Sequence, residues 1–135
     1  QQVQQGGHCH LEQPAYAHSW KTKALHDLPG FRAQFDQCQY GAECEDVDLV
    51  WRPVKKPTAI QTTKRGLWRE FQQRCDGTHH HCRLEGSSPA TGRRTKYMEN
   101  YQPTMAGILA ACLMADELPV AWEFAAAADD EKKQL

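Results

Sequence analysis

A chain of 135 residues with a formal net charge of −1 has room for one domain, burying roughly two thirds of its unfolded surface. Near-neutral charge excludes a global field drawing it to nucleic acid or anionic lipid, so any such contact needs a local patch. The longest apolar run, Met105 to Ala115, falls far short of the ~20 residues of a membrane-spanning helix.

In chain order, polar residues 1–6 read as a flexible segment without the basic-then-apolar pattern of a signal peptide. His8-Cys9-His10-Leu11-Glu12 alternates, with Cys9 and Leu11 on one face and His8 and His10 on the other, as in a short strand ending at the acid. Ser19 is placed to cap a helix from Trp20 with Ala24 and Leu28 on its face, and Pro29-Gly30 stops it. Phe31 to Tyr40 predicts a second strand, with Phe31, Ala33 and Phe35 on one side. The acidic stretch Glu43 to Asp48 reads as a loop or hairpin tip. Thr58 to Thr63, rich in β-branched residues, predicts a third strand.

Leu67, Trp68, Phe71 and Cys75 share a helical face, predicting an amphipathic helix that closes at Cys75-Asp76-Gly77. Gly86 to Lys96 reads as a loop. Met105, Ile108, Leu109, Cys112 and Leu113 stand at i, i+3, i+4, i+7 and i+8, the clearest helix in the chain, opened by Pro103 and limited by Pro119. Residues 7–118 thus form the expected domain, and 119–135 a terminal helix or tail.

Three groups carry chemistry. Glu12 lies in Leu11-Glu12-Gln13-Pro14, where a carboxylate could hold the edge of a base. The loop from Cys75 to Cys82 holds Cys75, His79, His80, His81 and Cys82, several ligands of the kind tetrahedral zinc takes. A fourth ligand has to come from afar, with Cys38 or Cys44 as candidates. In an extended loop His79 and His81 point to one side and His80 to the other, so Cys38, Cys75 and His79, with His81 or Cys82, are the expected set. Arg83, Arg93, Arg94 and Lys96, near Tyr97 and Tyr101, form a basic and aromatic segment suited to phosphates and bases. The six cysteines are expected as reduced thiols, in an intracellular reducing compartment.

Glu12-Gln13-Pro14, then Asp36-Gln37-Cys38-Gln39-Tyr40-Gly41, then Lys56-Pro57-Thr58 stand in an order that resembles phage-type cytosine-5 DNA methyltransferases. With Glu-Gln-Pro in place of Glu-Asn-Pro, it is also similar to segments of some retroelement polyproteins. Cys75, Gly77, His79 and His81 match the Cys-x-Gly-x-His-x-His cluster that follows in both, and the resemblance spans Gly7 to Leu113. It implies a truncated Rossmann-like, three-layer α/β domain with a short mixed sheet, and Glu12 on a strand parallel to that of Phe35. It also implies that Glu12 matches the glutamate that grips the target cytosine. The departures are Gln13, where the family has Asn or Val, and the lack of a Gly-rich cofactor turn or Pro-Cys nucleophile loop before Glu12. The expectation is a noncatalytic binding or structural module without S-adenosylmethionine, partnered by nucleic acid or a larger protein assembly. The alternatives are one half of a split methyltransferase and an assembly subunit.

Overall fold

A computed structural model describes residues 7–115. In chain order the elements are β1 (His10–Pro14), a 3-10 turn (His18–Lys21), the single helical turn α1 (Lys23–His26), β2 (Phe31–Asp36) and a second 3-10 turn (Gln37–Tyr40). There follow β3 (Glu43–Glu45), β4 (Trp51–Pro53), β5 (Pro57–Thr62), α2 (Arg65–Glu70), β6 (Ser87–Ser88), β7 (Gly92–Arg93), α3 (Arg94–Tyr97) and α4 (Pro103–Met114). The result is a small mixed α/β domain.

β5 is the centre of a three-stranded sheet of order β1-β5-β2. Its residues Thr58 to Thr62 are all buried, which suits a β-branched strand covered on both faces. Cross-strand partners share a face, so the trios Glu12, Ile60, Ala33 and His10, Thr62, Phe31 line one side. That side meets α2 and α4: Phe35, Ile60, Leu67, Phe71 and Met105 form one buried core, with Ile108, Leu109 and Cys112 packed against it. On the other side the Arg32 guanidinium lies 4.2 Å from the centre of the Trp20 ring, and Trp20 Nε1 donates to the Pro14 carbonyl at 2.9 Å.

Both neighbours of β5 are antiparallel to it. β1 and β2 therefore run in the same direction but are separated by β5, and every strand pairing among the described residues is antiparallel. This corrects the expected mixed sheet. The reason is local: the β3–β4 hairpin turns the chain back, so that Pro57 enters the space between β1 and β2.

The expected helix from Trp20 is reduced to the 3-10 turn and α1. Thr22 has extended backbone (ψ 150°), and Ser19 Oγ donates to Gln13 Oε1 at 2.8 Å rather than capping. Gly30 is required where it stands. Its φ is +97°, and a Cβ there would sit 2.1 Å from the Thr62 carbonyl oxygen.

A second core, of Ala42, Cys44, Val54, Cys82 and Met98, lies under the β3–β4 hairpin. Buried Arg94 fastens it, donating from Nε to the Glu45 carbonyl at 2.7 Å and from Nη1 to the Glu85 carbonyl at 2.6 Å. The helix predicted from Met105 is α4, with Met105, Ile108, Leu109 and Cys112 packed inward and Leu113, at its end, exposed. Its last turn is capped by buried Lys64, whose Nζ donates to the Leu113 carbonyl at 2.8 Å. The predicted segments 1–6 and 119–135, and the limit at Pro119, lie outside the described residues.

Candidate metal centre

The helix expected to close at Cys75 ends instead at Glu70, and no regular structure follows until Ser87. What directs this stretch is the end of β2. Phe71 is fully buried, its ring 5.0 Å from Phe35 and 4.9 Å from Tyr40. Tyr40 donates its hydroxyl to the Glu70 carbonyl at 2.6 Å and accepts the Gln73 amide at 3.1 Å. The Asp36 amide then donates to the Gln73 carbonyl at 3.0 Å.

Asp36 Oδ2 accepts the Cys75 amide at 2.7 Å and Arg74 Nε at 3.3 Å. These contacts bring Cys75 beside Cys38, which stands not in a strand but on the 3-10 turn immediately after β2. Gly41, at φ +81°, closes that turn.

Past Cys75 the chain reverses at Gly77, whose φ of +77° favours glycine. Asp76 Oδ1 accepts the Thr78 amide at 3.0 Å and its hydroxyl at 2.7 Å, forming an Asx turn. The reversal carries His79 Nε2 to 3.6 Å and His81 Nε2 to 3.5 Å from Cys75 Sγ. The ligand atoms of Cys38, Cys75, His79 and His81 all lie within 4.8 Å of one another, and all four residues are half-buried. Tetrahedral bonds of about 2.0–2.3 Å imply separations of about 3.3–3.8 Å between ligand atoms. The two sulfur–nitrogen distances from Cys75 already fall in that range. A metal ion could be held here by two thiolates and two imidazoles.

The electrostatics fit a cation. Burial, with neighbouring His79, lowers the His81 pKa and so favours the neutral imidazole that binds metal. Burial pushes the Cys38 thiol up to about 11; the Gln39 amide pulls it down, and nearby Cys75 raises it further. A divalent ion between the sulfurs would reverse that cost, because a coordinated thiol gives up its proton.

The remaining candidates divide clearly. Cys82 stands outside the group: it is buried in the second core with Cys44, its amide bonded to the Pro53 carbonyl at 2.9 Å. His80 is exposed and turns to a cleft it shares with Asp46, Arg83 and Glu85. His8 and His10 stack with ring centres 5.9 Å apart. Their Nδ1 atoms meet the hydroxyls of Thr63 at 3.1 Å and Thr62 at 2.8 Å, and they join no metal-sized group among the described residues.

Glu12 lies in the middle of β1 rather than at its end. It borders a cavity of about 210 Å³ between the sheet and α4, and accepts the Tyr101 hydroxyl at 2.6 Å. Burial first, then this bond, raises the Tyr101 pKa. Arg83, Arg93 and Lys96 are exposed, whereas Arg94 is buried and committed to backbone carbonyls. Asp36, to which the sequence assigned no role of its own, seats the histidine-cysteine loop. Its position two residues before Cys38 was the available signal, since a buried acid there can reach only what folds over the strand end.

No family model, curated protein or solved structure matches the chain.

Proposed function

We propose that this chain is a noncatalytic binding or structural module whose histidine-cysteine loop is held by zinc, and that it contacts single-stranded nucleic acid. The observation that carries the proposal is the convergence of Cys38, Cys75, His79 and His81 from two separate stretches of chain. Two thiols and two imidazoles are a donor set that zinc takes without redox chemistry of its own, in a closed structural site with no open position for substrate. The loop from 71 to 86 has no ladder or helix to hold it, which is where a structural ion has most to contribute.

Nucleic-acid contact is supported by an aromatic and basic surface at the β3–β4 hairpin and α3. Trp51 and Tyr97 stand edge to face with ring centres 6.1 Å apart. Exposed Arg93 and Lys96 precede Tyr97 in sequence. Aromatic faces next to cations suit stacked bases and their phosphates. The methyltransferase-like, Rossmann-like ancestry rests on the order of the Glu12, Asp36-to-Gly41 and Lys56-to-Thr58 motifs. The common direction of β1 and β2 supports it.

The binding test is titration of the zinc-loaded chain with single-stranded DNA and RNA oligonucleotides at two salt concentrations, read by tryptophan fluorescence and electrophoretic shift. Binding that weakens with salt, and weakens further in an Arg93→Ala, Lys96→Ala double variant, is the expected result. Absence of binding at low salt would remove the nucleic-acid role and leave a structural module.

A further inference from the structure

Metal-held thiols are also oxidisable thiols, and the geometry of this centre separates one pair of cysteines from the rest. Cys38 and Cys75 come from different stretches of chain, yet their sulfurs lie within the 4.8 Å span of the ligand group. Both residues are half-buried, whereas Cys44 and Cys82 are buried. Cys75 sits in irregular chain between Phe71 and Ser87, and a disulfide would bring the two sulfurs to a bond length of about 2.05 Å. Its sulfur has two imidazoles at 3.5 and 3.6 Å and accepts the Gly77 amide at 3.3 Å.

We infer that Cys38 and Cys75 are a peroxide-sensitive pair whose oxidation to a disulfide releases the metal, a regulation that rests on the zinc reading of this site.

The step balances. Sulfur of Cys75 attacks one oxygen of hydrogen peroxide, the O–O bond breaks, hydroxide leaves, and Cys75 becomes a sulfenic acid. Sulfur of Cys38 then attacks Cys75 sulfur, the S–O bond breaks, and a second hydroxide leaves as the S–S bond forms. Two sulfurs lose two electrons and peroxide gains them; the two hydroxides balance the charge of the departing divalent ion. A disulfide sulfur carries no negative charge, so two of the four ligands are lost together. His79 and His81 alone hold zinc far more weakly. The new bond still ties the loop to the end of β2, so the fold survives while the metal leaves.

The experiment uses the full chain, reduced and first titrated with zinc. Peroxide is then added, with released zinc read by a chromophoric chelator, free thiols counted, and the disulfide located by peptide mass mapping. We expect about one zinc released per chain, loss of about two thiols, and a Cys38–Cys75 crosslink, with zinc retaken after a thiol reductant is added. A Cys38→Ser chain should instead leave Cys75 trappable by a sulfenic-acid reagent, with no crosslink. If that variant does not fold, trapping in the parent chain at short times reports the same intermediate. Zinc retained under peroxide, a crosslink at Cys9, Cys44, Cys82 or Cys112, or oxidation that a thiol reductant does not reverse would overturn the inference alone. A reduced chain that takes up no zinc in the first titration would overturn the zinc reading, and this inference with it.

Discussion

Replacing Asp36 with alanine tests what seats the histidine-cysteine loop. Asp36 is 1% exposed; its Oδ2 accepts the Cys75 amide and Arg74 Nε, while its buried Oδ1 has no hydrogen-bond partner among the described residues. A hydrogen bond to a charged acceptor contributes about 1.5–3 kcal/mol. Arg74 is half exposed, so its ion pair adds at most about 1 kcal/mol. Removing the carboxylate also relieves the desolvation of Oδ1, which offsets part of the loss. The expected net destabilisation is about 2–3 kcal/mol. At about 3–6 °C per kcal/mol for a domain of this size, the melting temperature falls by about 6–18 °C.

Thermal unfolding followed by circular dichroism measures this in metal-free protein. A zinc titration should show affinity reduced about 10–100-fold, the usual cost of losing a group that orients a ligand. Asp36→Asn keeps a carbonyl acceptor for the Cys75 amide and should lose about half as much stability. An Asp36→Ala chain within about 0.5 kcal/mol of the parent, with unchanged zinc affinity, would refute the idea that this acid positions Cys75.

Three further outcomes follow from the same geometry. His81→Ala should lower zinc affinity strongly and His80→Ala leave it nearly unchanged, because of these two imidazoles His81 is the one that reaches Cys75; equal effects in competition titrations would exclude the assigned ligand set. Phe71→Ala removes a fully buried ring between Phe35 and Tyr40 and should cost about 3–5 kcal/mol in chemical denaturation. A loss below about 1 kcal/mol would mean that the ring is not in the core. At the β3–β4 hairpin, the hydrogen bonds from Arg52 hold the Asp48 carboxyl at about 2, below its ordinary 3.8. A depressed folded pKa stabilises above the unfolded value, so this contribution is complete above about pH 4 and lost as pH falls toward 2. The Asp48 carboxyl resonance should titrate near 2, and a midpoint near 4 would break the ion pair as drawn.

Much of the centre was legible because ligand chemistry is written in residue types. Cys75, His79 and His81 sit in one short segment, and alternation alone turns His80 the other way. Cys38 against Cys44 as the distant ligand was open in the sequence; the 3-10 turn after β2 decides it, and neither residue's neighbours announce that turn. Cys82 looked equivalent to His81 by spacing, but its apolar surroundings, Val54 and Met98, arrive from segments far away in the chain. Helix α4 was legible because its apolar stripe is long. The α2 helix was overextended because Phe71 and Cys75 fit a helical period, while the hydroxyl of Tyr40, 30 residues distant from Glu70, takes the carbonyl at the helix end. Strand order was not legible at all. Alternation gives faces, and nothing in β5 itself says that it inserts between β1 and β2 rather than beside them.

The measurement closest to the central claim is metal analysis of the purified chain, prepared without chelator and exhaustively dialysed, combined with melting in the presence and absence of chelator. We expect about one zinc per chain and a melting temperature that falls when chelator removes it. Zinc well below one equivalent, with melting insensitive to chelator, would contradict a metal centre at Cys38, Cys75, His79 and His81.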